Sequence, residues 1–500
     1  MSFLEMNILL IHPSSFFKVR VLNEITMPDM PLGLAYIAAV LEQAGHHVRI
    51  VDLNVIKTKD ELKNALTDVR YEVIGFTSTT SNILTCYRTI RVVKQMLPWA
   101  TTVLGGWHAS GAPVQTLREC SALDIVVKGE GEETMKELVD AIENHGDLAS
   151  IQGIVFRNAR GEIIENVDRP LIENLDDLPF PARHLLPMEE YRKRGFSTSG
   201  VYFKRDRYIS GIVTSRGCTG RCIFCADHTI YKHHCRLRSP ENVIEEIKQV
   251  MKQFKVTIFF FQDAHFTQSP TRAKKICELI IKEKLDIIWA CSARVDTVNE
   301  ELLHLMKRAG CARVGYGIES GSPKMLKIMN KHVKFKQMRD AIKWTREAGM
   351  MSFVYLVYGV PGETMEDIML TKQLLMELKP DFVNQSIAIP YPGTRLREIA
   401  LERNMIKNDN WKFYSFPYGA VIEYPGYDEM FKLQGKILKE FYTSPFFAKN
   451  LIKRFRSIYQ AFFYFKVLRI YLLGFFLFSF GTESSIKRVL SGITSREEKE

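Results

Sequence analysis

The sequence predicts an α/β protein built from a doubly wound parallel sheet, a partial (β/α)6 barrel and a helical C-terminal region. Short apolar runs alternate with helix-periodic stretches through residues 1–145, and a second alternation of this kind runs through residues 205–400. The chain has 500 residues, more than one ordinary domain holds. Its hydrophobic content of 46% and charged content of 25% are typical of globular proteins and exclude a disordered chain.

The first 145 residues are predicted to form a Rossmann-like domain. Its buried strands are expected where short apolar runs occur, at residues 8–11, 48–51, 73–77, 102–104 and 125–127. Stretches with helical spacing separate or follow them, at residues 32–44, 60–68, 84–96 and 132–143. Because doubly wound sheets bind ligands at the carboxyl ends of their strands, the loops there are the place to look for a site.

These strand-end loops are small, hydroxylated and rich in glycine, so that backbone and ligand can approach each other closely. The candidate ligand-binding residues in them are Thr77, Ser78, Gly105, Gly106, His108, Gly129, Glu130 and Gly131. An alternative role for His108 is a hydrogen bond within its own loop.

Residues 146–204 are predicted to link the two α/β units. Residues 151–164 are expected to form a β-hairpin, with residues 158–161 as its turn. Prolines at positions 179, 181 and 187 then favour an extended passage.

The second α/β unit is expected to begin with a short strand at residues 208–214. Further strands are predicted at residues 256–261, 287–290, 314–317, 353–357 and 382–389. Helices are predicted between them at residues 271–284, 302–309, 335–348 and 365–378. About six βα units in succession predict a partial (β/α)6 barrel over residues 205–400, with its site at the C-terminal face.

Three cysteines follow the first predicted barrel strand. Cys218, Cys222 and Cys225 have the spacing CxxxCxxC, so three thiolates within eight residues can hold three irons of a 4Fe-4S cluster. One iron would then lack a protein ligand and could bind a small molecule. The alternative is a zinc knuckle, with a fourth ligand taken from His228, His233, His234 or Cys235.

Polar residues also follow the later barrel strands, where a barrel places its site. The candidates are Asp263, Arg294, Glu319 and Ser320. For Asp263, Arg294 and Glu319 the alternative role is an ordinary salt bridge within the barrel.

The Cys triplet, Phe224 before its last cysteine, and the order of strand-end residues over 208–395 resemble the radical S-adenosylmethionine (SAM) superfamily. The resemblance implies that SAM chelates the open iron and is cleaved to a 5′-deoxyadenosyl radical. It also implies that Asp263 binds the SAM amino group, that Arg294 pairs with its carboxylate, and that Glu319 and Ser320 bind its ribose or methionine part.

The first 145 residues, with the loops named above, resemble the cobalamin-binding domain that is fused to many radical SAM proteins. The motif Asp-x-His-x-x-Gly, whose histidine ligates cobalt in many such domains, does not occur in the sequence. His12 and His108 lie in suitable loops without that context, so no lower axial histidine is predicted. The resemblance therefore implies bound cobalamin without a histidine ligand from this motif.

Together these resemblances imply a cobalamin-dependent radical SAM enzyme, similar to the hopanoid and bacteriochlorophyll methylases. The expected reaction is C-methylation of an unactivated carbon in a lipid, terpenoid or pigment precursor. Alternatives are a cyclase similar to the anaerobic magnesium-protoporphyrin cyclase, and a cobalamin-binding sensor. An RNA methylthiotransferase would need cluster cysteines in the N-terminal domain, where only Cys86 and Cys120 occur.

The C-terminal region, residues 401–500, ends in a basic and aromatic tail. Residues 441–500 hold ten Lys and Arg against four Glu, which is more than half of the net charge of +11. A basic amphipathic helix is predicted from residue 450 to 464, lying at an anionic membrane surface or packed on the barrel. Nine scattered cysteines favour a reducing cytoplasm. The expected partners are a hydrophobic substrate and an electron donor such as ferredoxin or flavodoxin, with no nucleic acid.

Overall fold

The computed structural model of the protein describes residues 5–14, 30–55, 59–194, 208–414, 421–423 and 426–454. Residues 1–145 contain five strands that pair in parallel: β1 (Asn7–His12), β2 (His47–Asp52), β3 (Val73–Thr77), β4 (Thr101–Gly105) and β5 (Ile125–Val127). The helices of this part are α1 (Leu32–Gln43), α2 (Lys59–Thr67), α3 (Ile83–Met96), α4 (Trp107–Gly111), α5 (Pro113–Glu119) and α6 (Glu132–Glu143). The predicted Rossmann-like architecture is confirmed.

The predicted hairpin is present and extends this first sheet. Its strands are β6 (Ile154–Arg157) and β7 (Ile163–Glu165), and β6 pairs antiparallel to β5. The sheet therefore has seven strands in the order β2-β1-β3-β4-β5-β6-β7. The hairpin joins the sheet because Ile154 and Val155 are buried on β6, which covers an edge that β5 would otherwise expose. Helix α7 (Met188–Arg194) follows.

The second sheet has six parallel strands in the order β15-β14-β13-β12-β11-β8. They are β8 (Tyr208–Ile212), β11 (Val256–Phe261), β12 (Ile288–Ala293), β13 (Cys311–Glu319), β14 (Met351–Tyr358) and β15 (Phe382–Ile387). Two short strands, β9 (Ser215–Arg216) and β10 (Arg236–Leu237), pair antiparallel around the Cys triplet, and α8 (Asp227–Tyr231) lies between them. The partial parallel barrel is thus confirmed.

The barrel helices connect successive strands. They are α9 (Pro240–Phe254), α10 (Pro270–Lys282), α11 (Glu300–Arg308), α12 (Pro323–Ile328), α13 (Phe335–Glu347) and α14 (Met365–Leu378). Many begin at a side-chain cap: Ser239, for example, accepts a hydrogen bond from the backbone N–H of Asn242, with Pro240 in the first turn of α9. One apolar core runs from Leu10 in the first sheet to Phe261 in the second, so the two sheets pack into one body.

Three helices follow the barrel: α15 (Arg395–Glu402), α16 (Tyr427–Tyr442) and α17 (Pro445–Arg454). The hydroxyl of Tyr442 at the end of α16 donates to the backbone oxygen of Val383 at 2.9 Å, which fixes this helix on β15. Residues from 455 onward, which include most of the predicted amphipathic tail, lie outside the described residues. Within the described residues, no helix is both long and apolar enough to cross a membrane.

Candidate functional site

The cysteine loop, residues 217–226, joins β9 to α8 and is braced from two sides. The backbone N–H of Ile223 donates to Met329 at 3.2 Å, and its carbonyl accepts from Leu396 at 2.8 Å. Gly217 has φ +85°, and a Cβ there would lie 1.9 Å from the backbone oxygen of His234, so only glycine fits. The loop is therefore held rigidly, with its three cysteines partly exposed and unbridged.

The sulfurs of the Cys triplet do not surround a single ion as they are placed. Tetrahedral zinc with bonds of about 2.3 Å brings its sulfurs within about 3.8 Å of one another. Among the described residues, only His46, Asp140 and Glu143 bring three potential ligand atoms within 4.8 Å of one another, and the Cys triplet does not. Three thiolates in one loop are the donor set that a 4Fe-4S cluster uses.

Cationic side chains face the cysteines. Burial raises the pKa of the Cys222 thiol, and Lys331 and Arg294 act in the opposite direction by favouring the thiolate. The Arg294 guanidinium makes two hydrogen bonds to Asp296, at 2.9 and 2.8 Å, which fix its plane beside the loop. Arg294, predicted as a site residue, therefore lies beside the cysteines. One edge of its guanidinium is already bonded to the Asp296 carboxylate.

Glu319 lies in the same place, paired with a lysine that the sequence did not reveal. Its carboxylate accepts from Lys331 Nζ at 2.8 Å, and both side chains are buried. Glu319 has φ +65°, a left-handed conformation that costs free energy outside glycine, and such strain is concentrated at functional sites. The structure thus brings Arg294, Glu319 and Lys331 together at Cys222.

Asp263 holds the chain segment that leads into the cysteine loop. Its carboxylate accepts the backbone N–H groups of Thr214 at 2.7 Å and Ser215 at 3.0 Å, as well as the Thr214 hydroxyl. Burial raises the pKa of Asp263 although these hydrogen bonds lower it. The carboxylate is therefore buried and engaged by the chain that leads into the cysteines, which gives it a positioning role. The expected contact with the SAM amino group stays a prediction.

Ser320 lies at the end of β13 and contacts a helix. It is fully buried, its hydroxyl lies 3.1 Å from that of Thr371 on α14, and it accepts from the backbone N–H of Ser322. These contacts anchor the end of β13, and a contact of Ser320 with SAM stays a prediction.

Two polar residues at the barrel mouth were not predicted. His265 is buried, and among the described residues its ring nitrogens and Oε1 of Gln268 have no hydrogen-bond partner. Burial, followed by the nearby Arg294, lowers the pKa of His265 to about 4, so the ring is neutral. Gln268 donates to Thr219 in the cysteine loop at 2.9 Å. Buried polar atoms without partners beside this loop fit the binding of a polar ligand such as SAM.

The glycine-rich loops after β3, β4 and β5 lie together at the carboxyl edge of the first sheet. Gly106 has φ +98°, and a Cβ there would lie 2.6 Å from the backbone oxygen of Ser78 and 2.8 Å from Oγ1 of Thr77. The Ser78 hydroxyl is buried without a partner. The close packing of the Gly106 backbone leaves the loops without projecting side chains at this point, and the Ser78 hydroxyl is free to bond to a ligand. Both features fit a ligand that lies against the loops, as cobalamin would.

His108 is turned into the protein beneath these loops. Its side chain is fully buried, Nδ1 lies 3.1 Å from the Thr80 hydroxyl, and its ring packs edge-on against Trp411 at 4.8 Å. Burial, with a smaller effect from Arg397, lowers the pKa of His108 to about 3. These contacts favour the alternative in which His108 braces its own loop, and they leave its role as a cofactor ligand without support.

The Glu130 side chain, predicted to contact the cofactor, is engaged by other parts of the protein. Its carboxylate accepts from Arg216 at 2.8 Å, from Arg236, and from the backbone N–H of Ile172 at 2.9 Å. Arg216 also donates to Glu132 at 2.5 Å. The neighbouring Gly129 and Gly131 can still face a ligand through their backbone, but the Glu130 side chain joins the first sheet to the cysteine loop.

A buried carboxylate in the turn 359–363 gives a testable pH dependence. Burial raises the pKa of Glu363 to about 7 from the ordinary 4.5, although a hydrogen bond from the Gly359 N–H lowers it. Because the folded state keeps this proton to higher pH than the unfolded state, stability falls as the pH rises from about 4.5 to about 7.

We expect Glu363→Gln to remove about 2.5 kcal/mol of this pH dependence, as measured by urea unfolding at pH 5 and pH 8. Glu366→Gln, an exposed residue of the same region, is the matched control and should behave as the unmodified protein. Identical pH dependence in all three proteins would contradict the prediction.

The comparisons with known proteins agree with this geometry. The model of the radical SAM superfamily matches residues 212–375, and that of the B12 binding domain matches residues 21–139. An uncharacterized methyltransferase of Pyrococcus horikoshii is 35% identical, covering 90% of this chain and 94% of its own length. The anaerobic magnesium-protoporphyrin IX monomethyl ester cyclase of Rubrivivax gelatinosus is 28% identical, covering 78% and 69% respectively.

A solved structure shares the fold over nearly the whole chain. The cobalamin-dependent S-adenosylmethionine radical enzyme OxsB, with aqua-cobalamin and SAM bound, superposes with a TM-score of 0.74 at 19% identity, covering 99% of this chain and 75% of OxsB. The two family models and the methyltransferase relative agree with the two adjoining loop systems of the structure. The chain therefore belongs to the cobalamin-dependent radical SAM methyltransferase family, whose cofactors are a 4Fe-4S cluster, SAM and cobalamin.

Proposed function

We propose that this enzyme transfers a methyl group to an unactivated carbon of a hydrophobic small molecule. The main support for the proposal is a set of buried ion pairs that joins the two cofactor loops, which we call the joint. Arg216, two residues before Cys218, holds Glu130 and Glu132 of the glycine-rich loop after β5. Chemistry that uses two cofactors on one substrate requires a constant separation between them, and a buried ion-pair joint supplies it.

When bound, the cluster with SAM supplies an oxidant able to take hydrogen from carbon, and cobalamin supplies the methyl group. In this proposal Cys218, Cys222 and Cys225 hold the iron. Arg294 and Lys331 place positive charge beside Cys222, and this charge would suit the carboxylate of SAM. His265, neutral and without a partner, is available to accept or donate one hydrogen bond to SAM or substrate.

An aromatic pair between the two loop systems supports a hydrophobic substrate. Trp107 begins α4, after the loop that follows β4, and Tyr231 ends α8, after the cysteine loop. Their rings pack edge-on with centroids 5.7 Å apart. Both side chains are partly exposed. Aromatic surface at this point would bury an apolar substrate and exclude water from the reacting carbon.

A second candidate is an oxidative cyclisation without methyl transfer. The similarity to the magnesium-protoporphyrin cyclase over 78% of this chain favours it, because that relative spans both loop systems. The two reactions share cofactor sites and differ in their products, so product analysis separates them.

We expect the enzyme, reconstituted anaerobically with iron, sulfide and cobalamin, to convert SAM into two products. With a reductant and a lipid extract of the source cells, 5′-deoxyadenosine and S-adenosylhomocysteine should both rise as the extract is added. A methylase consumes one SAM for hydrogen removal and a second to remethylate cobalamin, so the two should form in about equal amounts. Mass spectrometry measures both.

Deoxyadenosine without S-adenosylhomocysteine would overturn methylation and favour the cyclase-type reaction. Neither product, from protein shown to contain the cluster, would overturn both candidates. Heat-treated enzyme with the same extract is the control for background hydrolysis of SAM.

A further inference from the structure

The segment behind the cysteine loop is strongly basic. Residues 321–339, which include α12 and the start of α13, contain five Lys and one Arg and no Asp or Glu. Four of these cations have acidic partners: Lys324 with Asp367, Lys331 with Glu319, Lys336 with Asp340 and Arg339 with Glu377. Lys327 and Lys334 are exposed, and within the described part of the chain neither has an ion-pair partner.

This segment contacts the cysteine loop directly. The Asn330 side chain donates to the backbone oxygen of Arg221 at 2.9 Å, and Met329 accepts from Ile223 at 3.2 Å. Met325 and Met329 also belong to the apolar cluster that receives Phe224. The segment that carries the unpaired cations therefore packs directly on the chain that holds the metal-binding cysteines.

Exposed apolar side chains adjoin the unpaired cations. Ile328 is 36% exposed, and on the neighbouring helix α14 Met365 and Met369 are 43% and 47% exposed. Lys324 of α12 bonds to Asp367 of α14 at 2.5 Å, which keeps the two helices side by side. The exposed Glu366 lies between the two methionines, so the apolar side chains are bordered by charges of both signs, with the two unpaired lysines on the α12 side. Exposed apolar patches with a polar rim mark protein-binding surfaces.

We propose that this surface, formed by Lys327, Ile328, Lys334, Met365 and Met369, docks an acidic one-electron carrier protein of the flavodoxin or ferredoxin type. The proposal rests on the proposed function, because the cysteine-held centre must be reduced before SAM can be cleaved. Each encounter oxidises the carrier by one electron and delivers that electron to the metal centre. Unpaired lysines attract an acidic partner and accelerate its encounter, and the contact between segment and loop keeps the path short.

The test compares two doubly charge-reversed proteins. Lys327→Glu/Lys334→Glu alters the proposed surface, and Lys252→Glu/Lys275→Glu makes the same charge change at exposed, unpaired lysines of α9 and α10. An oxidised acidic flavodoxin is titrated with each holoenzyme at low and high salt, with flavin absorbance as the signal. We expect the first variant to bind about tenfold more weakly or worse, and to lose most of its salt dependence. The control should bind as the unmodified protein does.

Equal binding by both variants would overturn the proposal, and equal weakening would mean that only net charge matters, which also overturns it. Reduction by dithionite, followed by electron paramagnetic resonance of the cluster, bypasses the docking surface and should be the same in all three proteins. If dithionite-reduced enzyme forms no product from SAM, the proposed function fails, while the binding result still decides the docking surface.

Discussion

Replacing Cys222 with alanine is expected to abolish SAM cleavage and the cluster, whereas replacing Cys235 with serine should leave both intact. Cys222 is the middle cysteine of the triplet, and the positive charges of Lys331 and Arg294 favour its thiolate. Two thiolates hold a cubane poorly, so iron content and the visible absorbance of the cluster should fall together. Formation of 5′-deoxyadenosine should fall by about 10³-fold or more, because the reaction has no other oxidant.

Cys235 is a demanding control because it is partly exposed and lies near the triplet, where it interacts electrostatically with Cys218. If the loop were a zinc knuckle, Cys235 would be a plausible fourth ligand, and both variants would lose metal to a similar extent. Metal analysis of purified protein therefore decides the question without an activity assay. Zinc in place of iron, or equal metal loss in the two variants, would contradict the cluster assignment.

The order of strands and the position of the cysteine loop could be predicted because they depend on local patterns. Alternating apolar runs specify buried parallel strands, and three cysteines within eight residues specify a metal loop wherever they lie. The hairpin at 151–164 was also predictable, but its addition to the first sheet depends on the exposed edge of β5, which a local pattern does not reveal.

The roles of individual polar residues were harder to predict because their partners are distant in the sequence. Asp263 is held by Thr214, 49 residues away, and Glu130 by Arg216, 86 residues away. Lys331 pairs with Glu319 only because a loop of the chain brings them together at Cys222. A carboxylate at a strand end can equally contact a ligand or brace a neighbouring loop, and only three-dimensional packing distinguishes these roles.

Arg216→Met is expected to be the most destabilising single substitution among those considered. The Arg216 guanidinium is buried, donates to Glu130 at 2.8 Å and to Glu132 at 2.5 Å, and lies over the ring of Tyr36 at 4.9 Å from its centroid. Removing one partner of a buried ion pair leaves an uncompensated charge, which costs about 3–5 kcal/mol. Urea unfolding should show a loss of this size.

The control is Arg49→Met on β2 of the first sheet. Arg49 pairs with Asp68 at the surface, where the two side chains are 44% and 52% exposed, so its loss should cost less than about 1 kcal/mol. A second variant distinguishes the cost of an unpaired buried charge from the cost of lost packing. Arg216→Met/Glu132→Gln removes the unpaired charge of Glu132, and Arg236 still pairs with Glu130. We therefore expect it to recover a substantial part of the lost stability. If the double variant is no more stable than Arg216→Met, the loss comes from packing on Tyr36.

The same substitution has a consequence for catalysis, because Arg216 joins the glycine-rich loop to the chain that enters Cys218. The double variant Arg216→Met/Glu132→Gln is expected to fold but to lack the ion pairs that join the two loops. Each cofactor site then remains intact, while the distance between the two sites becomes variable. We then expect 5′-deoxyadenosine to form without a matching amount of methylated product, since a misplacement of about 1 Å lowers rates by about 100-fold. A ratio of the two products equal to that of the unmodified enzyme would show that the joint serves stability alone.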